Sequence, residues 1–467
     1  MRRRRFRGPQ GDGKALSDWA FALAASAIIG SAHLLGGAGQ VDLVLLLVML
    51  EGLLLAGFLL FSGAARSRLS APWRLALPTL LFFAVIAAAA VSLWPGAPFE
   101  RKGVWDLVGL PQRPAVDRGA VVLEMLKLGG LAAVFLTGFA ATGSPSLAQR
   151  VLRVLGLSTG LFAAYAFFKF TADPLLQGNR LMAGFGSANT PATLFGISTL
   201  LAIANLRTSA IANGGWRRNP DILAWLSLVF SVVALLLTGS RAGAASTVAA
   251  LVILGLFELF RRSGKLSARG AIGVMGATAA LAVLAAYSTR ALMPRLEQVS
   301  ADRDVRVEMV TAHWQVFKEA PLTGYGLGSF RSINATLITP ENLRTLFDIG
   351  ATHNVYVQWL EEAGLFGAVP MFALVGVILA VLLWSGLTSD TPGALWQRTI
   401  ACCLVLTLMH GWTDYALQVP SFAAALTLAL GLGFGLSRRR RTRGAAEERS
   451  TRDDELDSPW AGRAAQV

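Results

Sequence analysis

The sequence predicts an all-α, polytopic membrane protein of about 12 transmembrane helices. Three observations predict it. Hydrophobic residues make up 54% of the 467 and charged residues 15%, with a mean hydropathy of +0.54, too apolar for an ordinary soluble enzyme. Apolar runs long enough to cross a bilayer recur along the chain. The basic residues between them fall in alternate loops, as a fixed orientation in the membrane requires.

The formal charge of +14 is largely terminal, with Arg2 to Arg5 and Arg7 at one end and Arg438 to Arg441 and Arg443 at the other. Such tails mark cytoplasmic flanks facing anionic lipid in preference to nucleic-acid binding. Cys402 and Cys403 are adjacent inside an apolar run and offer neither a disulfide framework nor a metal site.

In chain order, residues 1–15 form a basic cytoplasmic N-terminus. Helices 1–9 occupy 16–287, with spans near 16–35, 42–62, 75–94, 119–140, 150–171, 191–206, 222–238, 243–260 and 271–287. The first span follows arginines but lacks a convincing cleavage site, which makes it a signal anchor. Residues 288–364 form one large loop, and spans 10–12 lie near 365–385, 398–418 and 420–437. The charged tail, 438–467, carries almost no apolar periodicity and reads as disordered. With both termini cytoplasmic, the inside loops are the basic ones: Arg66, Arg68 and Arg74; Arg207, Arg217 and Arg218; Arg261, Arg262, Lys265 and Arg269. The 288–364 loop then faces the exterior or periplasm. No internal repeat stands out, so the inverted repeats of many transporters are not visible.

Arginines on the outer side run against the positive-inside bias, and each needs a reason. Arg180 lies in a glycine-rich stretch ending at Asn189. Arg241 sits in Thr238-Gly239-Ser240-Arg241-Ala242-Gly243, a hairpin whose small residues let a ligand approach the backbone; the alternative is a side chain snorkelling to lipid phosphate. Periodicity predicts a helix over 302–319, stopped by Pro321, with Arg306 and His313 on one face. Arg306 either points into a site or pairs locally with Asp302. Next, Pro321-Leu322-Thr323-Gly324-Tyr325-Gly326-Leu327-Gly328 lacks a Gly-Lys-Ser/Thr ending and a preceding strand, so it is no nucleotide loop and reads as a flexible turn against the membrane surface. His353, in Thr352-His353-Asn354, stands just before a hydrophobic span, where an imidazole opening a helix can bind phosphate or move a proton beside the bilayer.

In this order, the Arg241 hairpin, the Arg306 helix with Pro321 to Gly328, and His353-Asn354 leading to Glu362-Ala363-Gly364-Leu365-Phe366-Gly367 resemble the O-antigen ligase and O-antigen (exopolysaccharide) polymerase superfamily. The stretch from Arg180 to Asn189 is similar to a further segment of that family, and the resemblance covers about 172–385. It implies a membrane glycosyltransferase of the C type, with its active site on the periplasmic side of the bacterial inner membrane and one long helical periplasmic loop. It implies transfer of a glycan from undecaprenyl diphosphate to an acceptor hydroxyl, either a lipid A core sugar (ligase) or a growing polysaccharide (polymerase), with the ligase preferred. It also implies that Arg180, Arg241 and Arg306 bind the donor diphosphate, that His353 serves the acceptor, and that neither metal nor cofactor takes part. Arginine suits the role, because a planar guanidinium binds phosphate through two hydrogen bonds and stays charged.

Glu51, Glu124, Lys127, His313, His410 and Asp414 compete for attention. Glu124 and Lys127, three apart in one span, neutralise each other. Glu51 is either a buried protonated carboxyl or part of a lipid-head cavity. His313 is the rival base, and His410 with Asp414, one turn apart near a helix end, suits a metal or a proton relay. A lipid-linked solute transporter or flippase is the reading of another class, with Glu51, Glu124 and Lys127 carrying the function. A non-catalytic scaffold of a polysaccharide assembly complex is a third.

Overall fold

A computed structural model describes residues 9–70, 75–94, 115–173, 179–213, 215, 220–263, 296–347, 349–389 and 391–437, which are helices, turns and short connections with no strand among them. In order they form α1 (Pro9–Leu34), α2 (Val41–Phe61), α3 (Gly63–Leu69), α4 (Ala76–Leu93), α5 (Arg118–Ala141), α6 (Pro145–Ala172), α7 (Asn189–Ala212) and α8 (Ile222–Leu237). There follow α9 (Arg241–Ser263), α10 (Leu296–Glu319), α11 (Phe330–Leu337), α12 (Leu343–Leu346), α13 (Val355–Thr388), α14 (Pro392–His410) and α15 (Pro420–Leu436), with a 3-10 turn at Ala416–Gln418 before the last. Among the described residues, 7 helices are long and apolar enough to cross a membrane (α2, α4, α5, α6, α7, α9 and α13), and α8 and α15 are shorter apolar helices. The chain is therefore an all-helical, multi-pass membrane protein. The expected span at 271–287 and the tail at 438–467 lie outside the described residues.

Helix starts follow local chemistry. Asp117 caps α5 through Ala120 N–H at 2.9 Å, Asp221 caps α8 through Ala224 N–H at 3.2 Å, and α6, α14 and α15 each place proline in the first turn. Two expected boundaries move. The span expected at 398–418 is α14, which begins at Pro392 and stops at His410, so Asp414 lies in the following loop. The span expected from 365 begins ten residues earlier, because Asn354 caps α13 by accepting from Tyr356 N–H and Val357 N–H, each at 3.1 Å.

Helix α13 is broken at Gly364, whose φ of 55° no helix allows. The Pro321 to Gly328 segment repairs the break: Tyr325 and Gly326 N–H donate to Glu361 and Glu362 carbonyls at 3.0 and 2.8 Å, and Leu365 and Phe366 N–H donate to Pro321 and Leu322 carbonyls at 2.8 and 3.0 Å. Tyr325 and Ser329 are 0% exposed. The segment expected to be a flexible turn on the membrane surface is thus pinned inside the protein, since unsatisfied backbone groups at a helix break need fixed partners.

Successive membrane helices alternate in direction. Asp18 near the start of α1 accepts from Ser146 and Arg150 at the start of α6, while His33 at the end of α1 meets Ser421 at the start of α15. One end of the bundle therefore collects the starts of α5, α7, α9, α13 and α15. The other collects their ends. Between them α5 and α15 touch backbone to backbone: a Cβ on Gly138 would stand 2.6 Å from the Leu428 carbonyl oxygen, and one on Gly431 would strike the Phe135 carbonyl.

Candidate active site

The end where α7, α9 and α13 begin holds the candidate residues. Arg180 donates from Nε to the Thr238 carbonyl at 2.9 Å, and Leu181 N–H donates to the Leu237 carbonyl at 3.0 Å, so the glycine-rich stretch before α7 is fastened to the turn that leads into α9. Within that turn Gly239 takes φ 61°, Ser240 N–H donates to Thr238 Oγ1 at 3.2 Å, and Gly243 N–H donates to Ser240 Oγ at 3.2 Å. The small residues make a tight hairpin. It presents Arg241, exposed, at the first position of α9.

Contrary to the sequence expectation, His353 does not open a helix; it precedes the Asn354 cap and takes a left-handed conformation with φ 52°. Thr352 fixes the turn around it, with Oγ1 donating to the Asn354 carbonyl at 2.7 Å and Thr352 N–H donating to Gln358 Oε1 at 3.1 Å. The imidazole packs edge-on against Tyr415, ring centres 5.1 Å apart, and its Nδ1 is buried with no hydrogen-bond partner. Burial, reinforced by the Arg306 guanidinium, pushes the ring down to about 4, so it is neutral at physiological pH.

Arg306 is half-buried on α10, and its charge acts on His353, His410 and Asp414 together. Two turns further along the same helix, His313 is 0% exposed; Nδ1 lies 2.8 Å from Glu361 Oε2, and Nε2 lies 3.3 Å from Asn334 Oδ1. This corrects the reading of His313 as a rival base. Both nitrogens are committed, and the ring docks α10 onto α13. Glu362 does the same for the 321–330 segment, accepting from Gly328 N–H at 2.8 Å, Phe330 N–H at 3.3 Å and Gln358 Nε2 at 2.9 Å.

The loop after α14 ties the helix starts together. Val355 N–H donates to the Gly411 carbonyl at 2.9 Å, Thr190 Oγ1 donates to Asp414 Oδ2 at 3.4 Å, and His410 lies 2.6 Å from Thr193 Oγ1 and 3.5 Å from Ser240 Oγ. Burial pushes Asp414 up to about 7, against the pull of the Tyr415 and Ala416 N–H groups, Thr190 and Arg306. The metal reading of His410 and Asp414 does not fit this geometry, because hydroxyl groups occupy both imidazole nitrogens. No group of three or more His, Cys, Asp or Glu side chains that could hold a metal ion occurs among the described residues. Sequence reasoning missed Tyr415, Thr190, Thr193 and Ser240 as neighbours of the site. Ser240 stands beside Arg241 in the chain, but nothing in the spacing joins 410–415 to 190 or 353.

Of the other groups, Lys127 Nζ lies 2.6 Å from Glu124 Oε1, the mutual neutralisation expected, and 3.4 Å from the Gln418 carbonyl. Glu51 is 3% exposed, packs against Gly130, and keeps Oε1 without a hydrogen bond. Cys402 and Cys403 are free and buried.

Membrane-crossing helices with three helix starts, arginines and an imidazole at one end define a multi-pass membrane protein with a polar cluster at that end. Residues 226–372, from within α8 to within α13, match the family described as O-Antigen ligase. That match agrees with the resemblance to the O-antigen ligase and polymerase superfamily carried by the same stretch. The matched segment contains Arg241, Arg306 and His353, while Arg180, His410 and Asp414 lie outside it. No curated protein matches the chain.

Proposed function

We propose that the protein is an O-antigen ligase-like glycosyltransferase of the C type in the bacterial inner membrane. It moves a glycan from undecaprenyl diphosphate to an acceptor hydroxyl at the periplasmic face, without a metal. The observation that carries this reading is the linked set at one end of the bundle: Arg180 bonded to the turn before Arg241, and Arg306 acting on His353 beside Tyr415. The sequence expectation of about 12 crossings includes a span at 271–287, which lies outside the described residues. Arg66, Arg68, Arg150, Arg153 and Arg207 lie at the opposite end, and the positive-inside bias supports reading that end as the cytoplasmic one. Both termini are then cytoplasmic.

In the proposed reaction the acceptor oxygen forms a bond to the anomeric carbon as the bond from that carbon to the phosphate oxygen breaks. The electron pair leaves with undecaprenyl diphosphate, and the acceptor's proton passes to the His353 imidazole. Arg180, Arg241 and Arg306 stabilise the charge that grows on the diphosphate, aided by the helix starts. A bound diphosphate also raises the basicity of the neighbouring imidazole, so His353 gains proton affinity when the substrate is in place. Polymerase and ligase share this donor chemistry and differ in acceptor.

The test is transfer by purified protein from a carrier-linked glycan, offered a lipid A core acceptor in one assay and a second carrier-linked glycan in another. Wild-type protein transfers to the first, and His353→Ala binds donor without transferring it. Transfer only to the second acceptor makes the protein a polymerase. Donor binding with transfer to neither overturns the enzyme reading and favours the transporter.

A further inference from the structure

His410 is 1% exposed at the last residue of α14, and it lies between the first turns of two other helices. Its Nδ1 is 2.6 Å from Thr193 Oγ1 on α7, and its Nε2 is 3.5 Å from Ser240 Oγ, the hydroxyl that accepts Gly243 N–H and so caps α9. The hydrogen bonds form a consistent chain: Thr193 Oγ1 donates to the Asn189 carbonyl at 3.3 Å, the Nδ1–H of a neutral imidazole donates to Thr193, and Ser240 O–H donates to Nε2. The ring also fills the space over Gly243, where an added Cβ would stand 3.3 Å from His410 Cε1 and 2.7 Å from Ala192 Cβ.

We propose that His410 is a positioning residue for the donor site: it clamps the first turns of α7 and α9 so that the 238–241 turn holds Arg241, and through the Thr238 carbonyl Arg180, at the diphosphate. The proposal rests on the donor-binding reading of Arg241. His410 itself touches no substrate. It acts through Ser240, one residue before Arg241, and the conservative variants separate this path from general packing. Glutamine can place an amide where Nε2 stands and keep the bond to Ser240. Asparagine can replace Nδ1 and keep the bond to Thr193.

The experiment measures binding of undecaprenyl diphosphate to the purified full-length protein in detergent. His410→Ala weakens binding roughly tenfold, the loss of one hydrogen-bonded support, and raises KM for the donor while kcat changes little. His410→Gln restores most of the affinity and His410→Asn does not. In Arg241→Ala, adding His410→Ala costs less than it does in the wild type, since the clamp then has only Arg180 left to hold. Wild-type affinity in His410→Ala, better rescue by Asn than by Gln, or additive losses with Arg241→Ala would each overturn the proposal. Should His410→Ala fail to fold, the Gln and Asn comparison decides. If Arg241→Ala binds undecaprenyl diphosphate like wild type, the donor-site reading itself fails, a result distinct from additivity.

Discussion

At the start of α14, Arg398 is 1% exposed, donates from Nε to Glu258 Oε1 at 2.6 Å and from Nη1 to the Gly386 carbonyl at 2.6 Å, while Arg207 approaches the other Glu258 oxygen at 3.3 Å. At the finish of α14, some 12 residues beyond Arg398, neither Arg241 nor Arg306 makes an ion pair among the described side chains, which leave out those of 296–304, and His353 keeps a buried nitrogen without a partner. The same contrast runs across the bundle, because Arg150 and Arg153 at the Arg398 end pair with Asp18 and Asp221 at 3.1 and 2.9 Å. A buried charge without a partner is expensive, so evolution closes such charges into networks where only the fold is at stake. At the opposite end Arg241 is exposed and Arg306 half-buried, and without a described acidic partner they are accessible to an anionic ligand.

Breaking the two ends separately produces two different failures. The largest expected effect is on chemistry: His353→Ala lowers the transfer rate by roughly 10²- to 10⁴-fold while the unfolding temperature stays within a degree or two of wild type. At the other end Arg398→Ala leaves Glu258 with Arg207 as its remaining partner and costs about 2–3 kcal/mol of stability, seen as a lower unfolding temperature, with KM for the donor unchanged in the protein that remains folded. Replacing Arg398 and Glu258 together by apolar residues recovers much of that loss, which would not occur if the pair served the reaction.

Between the two ends lies the break in α13. Gly364→Ala forces a Cβ into φ 55° and against the Gly324 and Leu322 backbone, and it is expected to cost about 1–3 kcal/mol and to loosen the loop that carries Arg306. Glu361→Gln, which keeps the shape and removes the charge facing His313, has a smaller effect of about 1–2 kcal/mol, measured by chemical denaturation.

The smallest effect is in pH. His353 is lowered from 6.5 to about 4 by burial first and Arg306 second, so its base form persists well below neutrality. Its contribution to the kcat/KM profile is an acid limb near pH 4, and Arg306→Gln moves that limb upward by removing the second cause. The unfolded chain binds this proton more readily than the folded one, so stability from this group is lost as pH falls from 6.5 toward 4. An acid limb that stays in place in Arg306→Gln would show that the two side chains do not interact.

Much of this architecture is written in local chemistry. Hydropathy locates α2 (Val41–Phe61) and α13, and Pro321 marks the end of α10 at Glu319, because these features depend on residues within a few turns. The ends of α14 and the start of α13 were misplaced for the same reason in reverse: polar Asn354 caps a helix that hydropathy begins at 365, and apolar residues after His410 belong to a loop. Arg180, Arg241, Arg306 and His353 stood out as cations or imidazole against an apolar background. Their supports did not. His313 meets Glu361 across 48 residues, Arg398 meets Glu258 across 140, and Thr193 meets His410 across 217, pairings that no spacing rule connects.

The central claim is that the open cations at the His353 end serve a polyprenyl diphosphate. It is tested most directly by titrating undecaprenyl diphosphate against the wild type and an Arg241→Ala, Arg306→Ala double variant whose unfolding temperature matches it. The account predicts an affinity loss of roughly a hundredfold or more, from two charge-assisted contacts. Equal affinity in the two proteins would contradict it.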